Sequence, residues 1–150
     1  MKCPYCGAEV VLKDATFVYP NHCRKEKRNS KMWVCSNFPK CNAYVGCHEG
    51  TEIPLGRVAN ERLRTLKKEA HRQFDPIWKS GLMSRKDAYK WLADMLKISF
   101  EECHIGLFDV KMCQKTIHLC ARQDSEVLHD FREKNYGVKK PPVKKRRTRK

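Results

Sequence analysis

Cys3-Pro4-Tyr5-Cys6-Gly7 sets two thiols with two residues between them and a glycine directly behind the second. That spacing lets both thiolates reach one tetrahedral metal ion, and the glycine permits the tight turn that aims backbone amides at sulfur. A second pair, Cys35 and Cys41, encloses Ser36-Asn37-Phe38-Pro39-Lys40. Four cysteine ligands close a tetrahedral zinc shell with no open position. The chemistry expected of Cys3, Cys6, Cys35 and Cys41 is therefore structural Zn²⁺ binding rather than catalysis. A module this short cannot bury enough apolar surface to hold itself, and zinc substitutes for the missing core. The 28 residues between Cys6 and Cys35 also contain His22 and Cys23, which compete with the second pair as ligands. The two-pair assignment is preferred.

Five of the nine cysteines lie outside this set. Cys113 and Cys120 fall on one helical face with Ile117 and read as small buried apolar residues. Cys47-His48 and Cys103-His104, together with His71, are candidates for a second metal site, although no ordinary ligand spacing links them. His48, His71, His104 and Asp109 are also what a metal-dependent nuclease would draw on. The chain carries no P-loop, no G-x-S-x-G elbow and no HExxH. Asp109 is adequately explained as a helix cap, so no catalytic residue is assigned and a binding protein is expected rather than an enzyme.

The chain has 150 residues, 32 Lys+Arg against 17 Asp+Glu, and a net charge of +15. Such a chain seeks polyanions. Eight of the basic residues fall between Lys139 and Lys150 with no acidic one, which leaves +7 for the first 138 residues. Two prolines and like-charge repulsion keep this tail unfolded. Its Lys144, Lys145, Arg146, Arg147 and Arg149 suit phosphate contact, and in a eukaryotic host the tail would serve as a nuclear localisation signal. Within the cysteine-rich region, Tyr5, Trp33, Phe38 and Tyr44 interleave with Arg24, Lys25, Lys27, Arg28, Lys31 and Lys40. Aromatic faces beside cations can stack bases while the cations hold phosphates. Of the aromatics here, Phe17 or Trp33 is expected in the hairpin core, and Phe38 and Tyr44 are favoured for contact.

The elements that must position these residues divide into three regions. Glu9-Val10-Val11-Leu12 and Thr16-Phe17-Val18-Tyr19 are β-branched or aromatic runs, with Lys13-Asp14 placed to turn a hairpin between them. Lys31-Met32-Trp33-Val34 predicts a third strand, and residues 20–30 a basic loop. Further on, Asn60 is the expected N-cap of a helix with Ala59, Leu63, Leu66, Ala70 and Phe74 on one face. Asp75-Pro76 should end it, because a residue before proline avoids the helical region. Ser84 and Asp87 resemble a capping box, followed by an apolar face of Ala88, Trp91, Leu92 and Met95. Ser99 and Glu102 form another box, opening a short helix that stops near Gly106. Asp109 should cap a last helix with Val110, Cys113, Ile117 and Cys120 inward, running or restarting to about Lys134. The expected fold class is α+β: a β zinc ribbon over 1–55, four to five helices over 56–135, and a disordered basic tail over 136–150. A hydrophobic content of 41% supports a modest core. No apolar run of about 18 residues or secretory signal is evident, so a membrane is not an expected partner and reduced thiols are expected.

Cys3-Pro4-Tyr5-Cys6-Gly7, a following strand, and Met32-Trp33-Val34-Cys35-Ser36-Asn37-Phe38-Pro39-Lys40-Cys41 resemble the C-terminal zinc ribbons of bacterial type I DNA topoisomerases. The resemblance covers residues 3–45. Phe38 stands where that family usually has Tyr, and the spacer between the pairs is longer than usual. It implies single-stranded DNA binding with stacking on exposed aromatics. Over about residues 1–120 the chain also resembles a family of small phage and prophage zinc-finger-containing proteins. The residues that carry this likeness are Ala43-Tyr44-Val45-Gly46-Cys47-His48, Ala70-His71, Phe74-Asp75-Pro76-Ile77-Trp78 and Cys103-His104-Ile105-Gly106-Leu107-Phe108-Asp109. It implies a bacterial or phage setting, hence the cytoplasm or nucleoid, and supplies no activity. The expected function is zinc-dependent binding of single-stranded or structured DNA with little sequence specificity, in phage or mobile-element DNA metabolism. RNA is the other candidate polymer. An adaptor or inhibitor gripping a host protein or nucleoprotein complex is the alternative, and a metal-dependent nuclease the third. The oligomeric state is left open.

Overall fold

The structure is a computed structural model that describes residues 1–21, 27, 29–81, 83–121 and 133. Three strands, β1 (Val10–Asp14), β2 (Lys31–Cys35) and β3 (Tyr44–Gly46), form an antiparallel sheet in that order. The register sets Val10 opposite Cys35, Trp33 opposite Val45 and Val34 opposite Tyr44. Because successive strand residues face opposite sides, the sheet carries a small cluster on each face. Met32, Val34 and Tyr44 pack with Ala15 on one side. Val10 and Cys35 pack with Cys3, Ala43 and Val58 on the other.

The hairpin expected through Lys13-Asp14 does not form. Those residues are the last two rungs of β1, with Asp14 opposite Lys31. The run expected as a strand, Thr16 to Tyr19, instead contributes to a single helical turn, α1 (Ala15–Val18). β1 pairs directly with β2, and β3 occupies β2's other edge, so no edge of the central strand is left for it. The Ala15 N–H donates to the Ser30 carbonyl (2.9 Å) and its methyl is buried, which turns the chain away from the sheet. Packing context overrode a β-prone composition.

The C-terminal part is helical: α2 (Glu61–Phe74), α3 (Pro76–Lys79), α4 (Arg85–Leu96), a 3₁₀ turn (Ile105–Leu107) and α5 (Val110–Ala121). Asn60 caps α2 as expected, its side chain accepting from the Leu63 N–H at 3.0 Å. Ser84 accepts from the Asp87 N–H (3.1 Å), and Asp109 from the Met112 N–H (2.8 Å). Ser99 and Glu102 form their reciprocal box, but the chain continues from it into the 3₁₀ turn rather than an α-helix. At Asp75-Pro76 the boundary falls where expected and for a different reason. Asp75 is helical (φ −58°, ψ −34°), and its carbonyl accepts from the Lys79 N–H (3.0 Å), so it closes α2 and opens α3.

Phe74, Ile77, Leu92, Ile105, Cys103 and Cys113 are fully buried at the centre of this body, with Cys120 beside them. Met95, expected inward, is exposed. Ala88, Trp91 and Leu92 are buried as expected, and the buried face of α4 widens through Tyr89, Ala93 and Leu96, which leaves Met95 on the outer side. No helix among the described residues is long and apolar enough to cross a membrane. The extension of α5 to about Lys134 and the basic tail lie outside the described residues, Glu133 apart.

Candidate metal centre and nucleic-acid surface

The turn at the N-terminus is built as its sequence requires. The Gly7 N–H donates to the Cys3 carbonyl (2.9 Å), and Gly7 takes φ +74°, a region glycine enters without steric cost. The Cys3 N–H returns to the Ala8 carbonyl at 2.7 Å. The second turn comes directly after β2. The Phe38 N–H donates to the Cys35 carbonyl and the Cys41 N–H to the Asn37 carbonyl, both at 2.9 Å. Sheet pairing between Val10 and Cys35 brings the two turns face to face.

Cys3, Cys6, Cys35 and Cys41 converge so that all four sulfurs lie within 4.8 Å of one another. Cys3 Sγ is 3.7 Å from Cys41 Sγ, and Cys6 Sγ is 3.4 Å from Cys35 Sγ. Sulfurs at about 2.3 Å from a tetrahedral zinc stand about 3.8 Å apart, so the cage has the size and donor set of one structural zinc ion. Asn37 Nδ2 lies 3.6 Å from Cys6 Sγ, an outer donor to a thiolate. The backbone at Ala8, with help from Cys35, pulls the Cys6 thiol down to about 7, whereas burial pushes Cys35 and Cys41 up. A metal ion would supply the charge that lets all four sulfurs stay ionised. His22 and Cys23, the competing ligands, lie outside the described residues.

The second metal site is not assembled. Among the described residues, the four-cysteine cage is the group whose ligand atoms meet this way. Cys103 is fully buried among apolar helical side chains, and burial pushes its thiol up to about 11. Cys47 is buried beside its bridge to Pro54, and His48 is exposed in the loop that comes next. His71 Nδ1 pairs with Asp75 at 3.2 Å, and the His104 ring packs against Tyr89. The residues a nuclease would draw on are likewise apart, with Asp109 occupied as a cap. Cys113 and Cys120 are core thiols, as expected. Thr116 between them is a buried residue that its polar type concealed, and its hydroxyl donates to the Met112 carbonyl.

The aromatic surface differs from expectation. Tyr44 is 9% exposed and belongs to the ribbon core, while Phe38 is half-buried. Phe17 (49%) and Tyr19 (40%) take the exposed places, and Tyr5 is open at 42%. The four rings form a chain. Phe17 meets Phe38 at 5.7 Å, Phe38 meets Tyr44 at 6.2 Å, and Tyr44 meets Tyr19 at 5.9 Å. Tyr44 is drawn inward because the Arg64 guanidinium lies 3.8 Å over its ring and Tyr19 shares a 2.8 Å hydroxyl contact with it. Trp33 is half-buried, with Nε1 donating to the Glu52 carbonyl.

Among the cations, Lys27 and Lys40 are exposed, Lys31 is engaged by Asp14 at 2.7 Å, and Lys13 stands 5.5 Å from the Phe17 ring. Arg24, Lys25, Arg28 and the tail residues Lys144, Lys145, Arg146, Arg147 and Arg149 lie outside the described residues. Arg64 and Lys67, which helical spacing puts on α2's polar side, turn into the seam with the ribbon. Arg64 donates to the Asn42 and Ala59 carbonyls and to the Asn42 side chain, one residue beyond the ligand Cys41. A cation four residues past an N-cap, able to reach back over the helix start, is the signal that would have found it.

Residues 1–123 match the family model DUF3268, described as a zinc-finger-containing domain. No curated protein and no solved structure matches the chain.

Proposed function

The chain belongs to this family of zinc-finger-containing domains, and from that premise we propose that its ribbon binds nucleic acid by stacking. The reading rests on one observation. Two exposed rings, Phe17 and Tyr19, are held in place by two buried or half-buried rings, Phe38 and Tyr44, on a sheet clamped at the cysteine cage. A protein with no use for exposed rings gains nothing by buttressing them. Stacking contributes about 1–3 kcal/mol per base and tolerates changes of sequence. Lys13, Lys27 and Lys40, with the overall +15 charge, supply phosphate neutralisation. The preferred ligand is single-stranded or structured DNA, with RNA as the competitor, and the resemblance to phage proteins suggests a role in phage or mobile-element DNA metabolism.

Fluorescence titration with a labelled single-stranded oligonucleotide tests this. Affinity should fall steeply with salt, and Phe17→Ala combined with Tyr19→Ala should weaken binding about tenfold or more at unchanged zinc content. No binding, or binding indifferent to salt and to the double substitution, would sink it.

A second reading, an adaptor for a host protein, has one observation in its favour. Leu55 and Leu107 are both about half exposed, and each adjoins one of the two glycines where the ribbon-side loop touches the 3₁₀ turn. A single stoichiometric partner that survives nuclease treatment and is lost in Leu55→Lys would favour it over stacking.

A further inference from the structure

We propose that the hollow in the seam between the ribbon and α2 is a docking slot for one large apolar side chain of a partner protein, presented from a segment rich in carboxylates. The proposal goes beyond stacking. It rests on the second reading above, which it deepens by naming the chemistry of the segment bound. The hollow has a volume of about 250 Å³. Met32, Val45, Leu55 and Ala59 contribute to its walls, and the surface it presents is almost wholly apolar. The polar residues beside it do not alter that. Arg64 turns its guanidinium to the Asn42 and Ala59 oxygens and lays it over the Tyr44 ring at 3.8 Å. Lys67 turns its ammonium to the Gly106 carbonyl at 2.7 Å. The Tyr19 and Tyr44 hydroxyls meet each other at 2.8 Å. With their polar ends engaged elsewhere, these side chains offer the hollow methylene stems and ring carbons.

The apolar character continues outside the hollow. Leu55 is 55% exposed, Ile53 two residues before it 63%, and Leu107, next to the lining residue Gly106, 49%. A Cβ built on Gly56 would collide with the Gly106 carbonyl oxygen, so only glycine lets the two backbones pack this closely. That contact fixes the chain on either side of it, where Leu55 and Leu107 stand open to water. Such a lining selects its occupant. A phosphate, or the edge of a nucleobase, would bury donors and acceptors without partners there. One large apolar side chain fills the space without that cost, and the volume, below that of drug-sized ligand sites, suits a single anchor.

The charge around the hollow selects the rest of the segment. Among the described residues no carboxylate lines it, and none of Arg57, Arg64 and Lys67 has an acidic ion-pair partner. Arg64 and Lys67 are bonded to neutral oxygens, which leaves their charges uncancelled, and Arg57 is exposed. A second copy of this +15 chain would bring like charge to the same place. A segment with Asp or Glu on either side of its apolar anchor complements both the walls and the field.

Amide NMR of the full zinc-loaded chain tests this, with a capped acidic peptide carrying one central phenylalanine as the probe. The peptide should move the Val45, Gly46, Gly56 and Gly106 amides in a saturable way. Exchanging its phenylalanine for alanine should weaken binding about tenfold or more. Exchanging its acidic residues for serine should weaken it about tenfold and remove its salt dependence. Leu55→Asp sets a carboxylate at the apolar rim and Arg57→Glu reverses a charge, both at exposed positions, and each should weaken binding about tenfold at unchanged zinc content. Phe17→Ala, outside the hollow, should leave it unchanged. The proposal falls if the peptide moves none of these amides, if the alanine-centred peptide binds equally well, or if neither Leu55→Asp nor Arg57→Glu weakens binding. It falls too if another occupant takes the hollow: the same amides moving with protein concentration alone would mark a second copy, and an oligonucleotide that moves them and excludes the peptide would mark a strand. A nuclease-resistant partner lost in Leu55→Lys, beside a peptide that moves none of these amides, would keep the second reading and overturn this one; a peptide held here with no such partner would do the reverse.

Discussion

In the ribbon, the cluster around the cage consists of Cys3, Val10, Cys35, Ala43 and Val58, and two of those five are sulfur ligands. In the helical body, the buried set includes Phe74, Ile77, Trp91, Leu92, Ile105 and Phe108. Each large apolar side chain fully withdrawn from water contributes roughly 1.5–3 kcal/mol, so the helical body can be held by burial. The ribbon has few such side chains, and its strands are of five, five and three residues. The two regions are adjacent in sequence and in contact, yet one depends on a metal cage and the other on packing. This difference explains why the ribbon can leave rings exposed: its order does not require burying them.

Metal removal is the largest expected break in that contrast. Structural zinc in small fingers is worth on the order of 10–16 kcal/mol of apparent binding energy at neutral pH, far more than the ribbon's own core could replace. A strong chelator should release about one zinc per chain and abolish the Trp33 environment, while most of the helical circular dichroism persists. Cys35→Ser should reproduce the effect without chelator. Loss of the helical signal in step with zinc would show that the Arg64 contacts to Asn42 and Ala59 join the two regions into one cooperative unit.

Phe74→Ala probes the other side. Phe74 is fully buried and packs edge-on against Tyr89 at 4.8 Å between ring centres. Truncation of such a side chain costs about 3–5 kcal/mol, which should appear as a lower midpoint in urea for the helical signal. Zinc stoichiometry should stay at one. Zinc loss accompanying the substitution would mean that the ribbon leans on the helical body and that the contrast is overstated.

What could be read from the amino-acid order obeys the same division between local and distant causes. The cage ligands are local pairs, with two and five residues between their members, and their spacing alone states the chemistry. The helix caps at Asn60, Ser84 and Asp109 are local too, because each side chain reaches an N–H three residues on. The features that differ from expectation depend on partners far along the chain. Thr16 to Tyr19 has the composition of a strand, and nothing near it reveals that β2 has both edges taken. Phe38 and Tyr44 have the character of free rings, and the Arg64 contact that draws Tyr44 inward comes from 20 residues beyond it. Cys47, His71 and Cys103 invite a second metal site by residue type, while their separation in space is a property of the packed body.

The seam gives the smallest effect and a pH sign that can be worked out. Burial and nearby Arg57 lower Lys67 to about 8 in the folded chain, against an ordinary 10.5. Below pH 8 both folded and unfolded chains carry the proton, and Lys67 adds no pH dependence. Between about 8 and 10.5 the unfolded chain holds more protons than the folded one, so stability from this group rises with pH. Melting temperatures of the parent and Lys67→Met, compared at each pH, should differ by a constant amount up to about pH 7.5. Above that the difference should shift in the parent's favour up to about pH 10.5. Subtracting the variant cancels the cysteines and tyrosines that titrate in the same range and do not feel Lys67; Cys113, in electrostatic contact with Lys67, is the exception. A difference that stays flat across the window would mean that Lys67 is solvated like a surface lysine, and the seam between the metal-held and core-held regions would then not bury its charge.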